Sequence, residues 1–237
     1  MKYIASVSWG KDSLAMLIKI LEYKMPLDEV VFFDTGMEFQ AIYDVRDKII
    51  PILVERGIKY TELKPRNPFL YDMLERPVYS KQKGNHLGYG WCGGRCRWGT
   101  TEKLKAIDAY AEDRSAYTYV GIAADEQNRI AKERKWYKIL PLINFKMTES
   151  DCLSLCYQYG FQWIEQDVRL YDILDRVSCW CCCNKNLKEL RNIYQYLPEY
   201  WEHLKELQSK IKRPFKGFYK GNPVGIFELE DRFKANR

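Results

Sequence analysis

A doubly wound α/β fold with a parallel sheet, followed by a helical C-terminal region, is predicted by three observations. Strand and helix patterns alternate through the first 145 residues. A glycine-bearing turn stands between the first strand and the first helix. Beyond Pro141 only helical patterns remain.

The elements follow in order. Tyr3 to Val7 reads as a short buried strand and Ser8 to Lys11 as the turn after it. Leu14, Leu17, Ile18 and Leu21 recur at helical spacing up to Pro26. Val30 to Phe33 is a second strand, ending at Asp34-Thr35-Gly36. Ile42, Val45, Ile49, Ile52 and Leu53 form a second helical stripe, which Pro51 is expected to kink or break. Ile58 to Leu63 and Tyr117 to Ile122 supply a third and a fourth strand. Strands separated by helices imply right-handed crossovers and a sheet covered on both faces. Residues 65–98 interrupt this order with a loop rich in proline and glycine, and loops of that length are usually functional. Later, Thr148 is a candidate cap for a helix; further helices run through Leu187–Tyr194 and Trp201–Ile211. The expected division is a nucleotide-binding body over 1–145 and a helical region with a cysteine cluster and basic tail over 146–237.

Composition excludes several classes. Of 237 residues, 46% are apolar and 15% aromatic, enough for a core and unlike a disordered chain. No run approaches the roughly 20 apolar residues of a membrane helix, and nothing near Met1 resembles a secretory leader. A cytoplasmic protein without membrane partners is expected, and its eight cysteines are then not structural disulfides. Cys152 and Cys156 lie four apart in a helical pattern and read as buried apolar residues. The net charge is +6, with six Lys/Arg against Glu206 between Lys205 and Lys220. Such a stretch is either a solvated face or a landing strip for a polyanion.

Ser8-Trp9-Gly10-Lys11-Asp12-Ser13 occupies the place of a phosphate cradle. A helix N-terminus offers unpaired N–H groups and the positive end of the dipole. Gly10 admits close backbone approach, Ser8 and Ser13 carry hydroxyls, Lys11 adds charge, and Asp12 is a candidate for positioning Mg²⁺. Ligands in open α/β sheets sit beyond the carboxyl ends of strands. The loops at Ser8, at Asp34-Thr35-Gly36 and at Gly121 are therefore expected to share one nucleotide crevice, with Ser6 at the strand end beneath it.

The segment resembles the PP-loop, Ser-Gly-Gly-x-Asp-Ser, of enzymes that split ATP between its α and β phosphates; Trp9 stands in place of a glycine. The chain is similar to the phosphoadenylylsulfate reductase-like family through three further segments. These are Asp34-Thr35-Gly36-Met37-Glu38-Phe39, Gly121-Ile122-Ala123-Ala124-Asp125-Glu126 with Arg129, and Pro141-Leu142-Ile143-Asn144-Phe145. Ala123 replaces an arginine of that pattern. The resemblance implies an adenine nucleotide alpha hydrolase-like fold that binds ATP, or a related adenine nucleotide, with Mg²⁺. Lys11, Asp12 and Ser13 become the catalytic candidates, and Glu126 and Arg129 join the nucleotide-binding set.

Cys92-Gly93-Gly94-Arg95-Cys96 and Cys179-Trp180-Cys181-Cys182-Cys183 hold two cysteine pairs at metal-ligand spacing. Cys92, Cys96, Cys179 and Cys182 are the expected ligands, although Cys181 and Cys183 leave the choice open. The resemblance to sulfur-handling members, DNA phosphorothioation enzymes among them, implies a [4Fe–4S] cluster; zinc suits the same sulfurs. A true reductase of the family uses a cysteine in a Glu-Cys-Gly-x-His tail, and 217–237 carries no cysteine. The expected activity is therefore cleavage of ATP to AMP and pyrophosphate, adenylating an acceptor for sulfur transfer. The acceptor is expected to be tRNA or DNA, with a sulfur donor protein as a further partner. A reductase of adenylylated sulfate and a non-catalytic nucleotide binder are the alternatives.

Overall fold

The structure is a computed structural model that describes residues 1–81, 84–132 and 134–235. Small parts of the predicted loop and tail, residues 82–83 and 236–237, lie outside the described residues. The chain forms two compact units, and neither is one continuous segment.

The first unit comprises 1–34, 40–64 and 102–163. Its five strands are β1 (Lys2–Val7), β2 (Glu29–Phe33), β3 (Lys59–Leu63), β4 (Ala116–Val120) and β5 (Lys138–Ile139). All pair in parallel, in the order β3-β2-β1-β4-β5. Helices α1 (Lys11–Glu22), α2 (Gln40–Glu55) and α3 (Lys103–Asp113) flank this sheet. The arrangement is the predicted doubly wound α/β fold. The order reverses beside β1, where such sheets open a crevice.

Hydrophobic pattern explains the layers. Every residue of β2 is buried, as a strand covered on both faces requires. Ile4 and Val31 pack with Ala111 of α3 and with Ala116 and Tyr137. Leu14 through Ile18 are all buried, so α1 is enclosed around most of its circumference. Helix α2 runs unbroken through Pro51, contrary to the expected break, and Pro51 is exposed. The two-residue strand β5 was too short to leave a period in the sequence. Helix α4 (Glu149–Gln158) also belongs to this unit, opened by a capping box in which the Thr148 side chain accepts from the Asp151 N–H.

The second unit comprises 35–39, 65–101 and 164–235 among the described residues. Helices α5 (Leu187–Tyr196), α6 (Pro198–Lys210) and α7 (Ile226–Ala235) pack around Leu190, Ile193, Trp201, Leu204, Leu229 and Phe233. The expectation of helices alone beyond Pro141 is corrected by two short antiparallel pairs, Ile164–Glu165 with Val168–Arg169 and Phe218–Tyr219 with Asn222–Pro223. Nor is 65–98 one loop. It holds a helix at Phe69–Leu74 and a hairpin, Pro77–Ser80 with Gly84–Leu87. No described helix is long and apolar enough to cross a membrane.

Candidate functional site

In the first unit, β1 ends at Val7 and α1 begins at Lys11, so Ser8, Trp9 and Gly10 form the turn. Gly10 is the N-cap, and no side chain caps the helix. Glycine at this position supplies no side-chain oxygen of the kind that usually accepts a first-turn N–H. Ser13 braces the loop from inside: its Oγ accepts the Ser8 N–H at 3.0 Å, lies 3.1 Å from the Ser8 Oγ and donates to the Gly10 carbonyl at 3.1 Å.

Trp9 adopts φ 59°, the left-handed region that glycine occupies freely. Its ring is fully buried near Phe32 and Tyr60, and its carbonyl accepts the Trp163 indole N–H at 2.7 Å. The indole thus occupies core, while the loop keeps the backbone shape of a glycine turn.

Lys11 is buried rather than open. Its Nζ lies 2.9 Å from Asp12 Oδ1 and 2.8 Å from Glu149 Oε2. Burial works against the charge, but Asp12 and Glu149 outweigh it and hold the ammonium above its ordinary pKa. Burial raises the Asp12 carboxyl against the pull of Lys11, with Glu149 and Glu126 adding to the rise. Sequence reading missed Glu149, which lies 138 residues away and looked like part of a helix start.

Gly121 follows β4 and touches the loop backbone. A Cβ there would sit 2.8 Å from Ser13 Cα, 2.9 Å from Ser13 N and 3.0 Å from Asp12 O. Asp34 accepts a hydrogen bond from the Tyr43 hydroxyl at 2.7 Å. Glu126 and Arg129 pair with each other at 2.7 Å, while Glu126 also accepts the Ala123 N–H at 3.2 Å. Ser6 lies on β1, between Val31 and Val120. Behind the loop, Cys152 and Cys156 are fully buried, and the Cys156 thiol, raised to about 12 mainly by burial, donates to the Lys11 carbonyl at 3.4 Å.

The second unit gathers Thr35, Gly36 and the clustered cysteines. Thr35 lies 3.6 Å from Cys179 Sγ, which in turn donates to Glu38 at 3.5 Å, and the Trp180 N–H donates to the Met37 carbonyl at 3.0 Å. Gly36 turns at φ 75°. The two cysteine segments are tied by a reciprocal pair: the Gly94 N–H donates to Asn184 Oδ1, and Asn184 Nδ2 donates to the Gly94 carbonyl, both at 2.8 Å. A Cβ on Gly93 would lie 4.0 Å from the Cys183 sulfur. The Cys96 thiol donates to Cys92 and, with the Arg97 N–H at 3.3 Å and the charges of Arg97 and Arg213, draws Cys92 down to about 6 despite burial. Burial pushes Cys179 and Cys181 up, and Cys183 up to about 11.

Among the described residues, no three or more His, Cys, Asp or Glu side chains are arranged to hold a metal ion. That holds for every choice among the cysteines, the expected set Cys92, Cys96, Cys179 and Cys182 included. Cys179 contacts Thr35 and Glu38, and Cys183 is the thiol set against the Cys92 loop. Contiguous cysteines look alike in sequence, and only the turn at 179–183 distinguishes their directions.

Residues 2–68 match the phosphoadenosine phosphosulfate reductase domain family. That stretch contains the Ser8–Ser13 loop and the Asp34–Phe39 segment; the Gly121 segment and all eight cysteines lie outside it. An uncharacterized protein of Methanocaldococcus jannaschii is 28% identical over 219 residues, covering 84% of this chain. The chain spans 40% of that relative's length.

Proposed function

We propose that this protein is an adenine-nucleotide enzyme that cleaves ATP to AMP and pyrophosphate. The observation carrying this reading is the loop itself: a 12-residue helix opens at Gly10 without a side-chain cap, directly after a parallel strand and against a side-chain-free Gly121. The family match over 2–68 supports an adenine nucleotide as the anion.

In this reading the phosphates lie on the first-turn N–H groups, and Ser8 and Ser13 hold the loop's shape. An acceptor oxygen attacks the α phosphorus as the α–β anhydride bond breaks and pyrophosphate leaves. A sulfur nucleophile at the sulfide level, brought by a donor protein, then displaces AMP from the acceptor. Asp12, with Glu149 and Glu126 nearby, is the carboxylate suited to Mg²⁺. The ion would supply charge neutralisation between the phosphates and the protein. Lys11 keeps these carboxylates from repelling one another and fixes Asp12 in place.

The cysteine unit is proposed as the sulfur-handling part, with a tRNA or DNA acceptor. The candidate donors are Cys92 and Cys96 with two of Cys179, Cys182 and Cys183; the low pKa of Cys92 suits a thiolate ligand, and the nearness of Cys183 to the Cys92 loop favours it over Cys179. A [4Fe–4S] cluster there would supply iron able to ligate sulfur, and zinc would supply a structural cross-link.

Incubation with ATP and Mg²⁺ in the presence of tRNA or DNA and of sulfide, followed by chromatography of products, tests the reading. AMP and pyrophosphate in equal amounts support it; ADP and phosphate overturn it. The commitment of Lys11 to Asp12 and Glu149 favours one second reading, a nucleotide binder without turnover. Saturable ATP binding with no product would establish that reading instead.

A further inference from the structure

The second unit contains a cavity of about 220 Å³ whose wall includes Trp91, Gly94, Cys183, Arg213, Phe215 and Lys216. We propose that this cavity is a subsite for a phosphate group of a nucleic-acid strand, seated on Arg213 with Lys216 and Cys183 in its wall. The inference deepens the proposed nucleic-acid acceptor, and rests on it for the biological source of the phosphate.

Charge is the first argument. The lining holds two cations and no acid. Arg213 is exposed and meets no carboxylate among the described residues. Lys216 donates to the carbonyls of Cys183 at 2.7 Å and Lys185 at 2.8 Å. These bonds fix the ammonium without neutralising it. A guanidinium without a carboxylate partner, whose charge also favours the nearby Cys92 thiolate, beside an ammonium in a concave site attracts an oxyanion.

The site is also built in advance. Gln208 accepts the Phe215 N–H at 2.9 Å and donates to the carbonyls of Ile211 at 2.8 Å and Arg213 at 3.1 Å. One buried amide thus sets the backbone that carries Arg213. Trp91 and Phe215 pack edge to face, with ring centroids 4.7 Å apart. The buried Trp91 indole N–H has no hydrogen-bond acceptor. A cavity of this size lies below the roughly 300–1,000 Å³ of a pocket for a whole small ligand. It suits a phosphate with part of its sugar.

The surroundings distinguish a strand from a free anion. Lys210, Lys212 and Lys220 are exposed along the same stretch. The hairpin of Phe218–Tyr219 with Asn222–Pro223 presents both aromatic residues at 67% exposure. Cations that follow a backbone beside rings open to stacking suit an unpaired strand.

The test uses the full chain, labelled 12-residue DNA and RNA oligonucleotides and fluorescence anisotropy, with inorganic phosphate as competitor. Arg213→Gln should weaken oligonucleotide binding about tenfold and lower the salt slope by about one, whereas Lys212→Gln, outside the cavity, should cost less than about threefold. Competition by phosphate at the same Arg213 dependence assigns the cavity to phosphate from either source. Arg213-dependent oligonucleotide binding without such competition assigns it to strand phosphate. Wild-type protein that binds neither probe, or equal losses in the two variants, overturns the proposal. Products from ATP are measured in parallel: Arg213-dependent binding without AMP release would leave the subsite standing and remove the ATP chemistry.

Discussion

Gly121→Ala tests the link between β4 and the Ser8–Ser13 loop. The added methyl carbon would lie 2.8 Å from Ser13 Cα and 2.9 Å from Ser13 N. Carbon atoms in ordinary contact are about 3.5–4.0 Å apart, so something must move by roughly 0.7 Å. The atoms in the way are backbone, which cannot rotate aside. Forcing a methyl group into a packed site costs about 1–3 kcal/mol. At about 2–4 °C per kcal/mol for a chain of this size, Tm should fall by roughly 2–12 °C. The strain falls on Asp12 and Ser13, whose N–H groups belong to the proposed phosphate cradle. Losing one charge-assisted hydrogen bond there should cost about 1.5–3 kcal/mol, roughly a 10- to 150-fold loss in affinity. Calorimetric titration with a non-hydrolysable ATP analogue, alongside thermal melts, measures both effects. An unchanged Tm would refute the close approach. A lowered Tm with unchanged affinity would refute the assignment of the loop to phosphate.

Three other outcomes are expected. Glu29 is buried, which raises its carboxyl, but hydrogen bonds from Thr61, Tyr110 and Lys59 outweigh this and leave its pKa below the ordinary value. Its folded pKa is thus below its unfolded one, so its contribution is present above about pH 4.3 and lost as pH falls through the folded value. Glu29→Gln should flatten the acid limb of a Tm-versus-pH curve, and an unaltered limb would count against the network. Trp9→Gly should relieve roughly 1–3 kcal/mol of backbone strain but forfeit about 3–5 kcal/mol of buried packing; urea unfolding should show a net loss, and equal stability would disprove the dominance of the indole. Asn184→Ala removes both bonds to Gly94, so metal per chain after anaerobic purification should fall, as it should in Cys92→Ser and Cys183→Ser. Full retention in Cys183→Ser with loss in Cys179→Ser would restore the ligand set expected from spacing.

The sheet of the first unit was legible because its information is local. Strand-like segments at 3–7, 30–33, 58–63 and 117–122 are bounded by turn residues, and each became a strand within one or two residues. The Ser8–Ser13 loop was legible for the same reason, since a glycine between a strand and a helix determines nearby backbone. Lys138–Ile139 escaped notice because two residues carry no period, and Pro51 misled because a proline in an exposed helical position can be tolerated when the rest of the helix is packed.

The amino-acid order by itself determined the α/β class, the position of the Ser8–Ser13 turn between strand and helix, and the pairing of two cysteine segments as neighbours. It did not determine what each side chain faces. Glu149 reaches Lys11 across 138 positions, Gly121 is needed because Ser13 backbone passes beside it, and Cys183 rather than Cys179 is set against the Cys92 loop. Such partners depend on helix rotation and on the turns between segments, and residues distant in the chain leave no periodic trace of meeting. Tertiary packing alone decided them, because a buried charge or thiol takes its role from the groups that replace water around it.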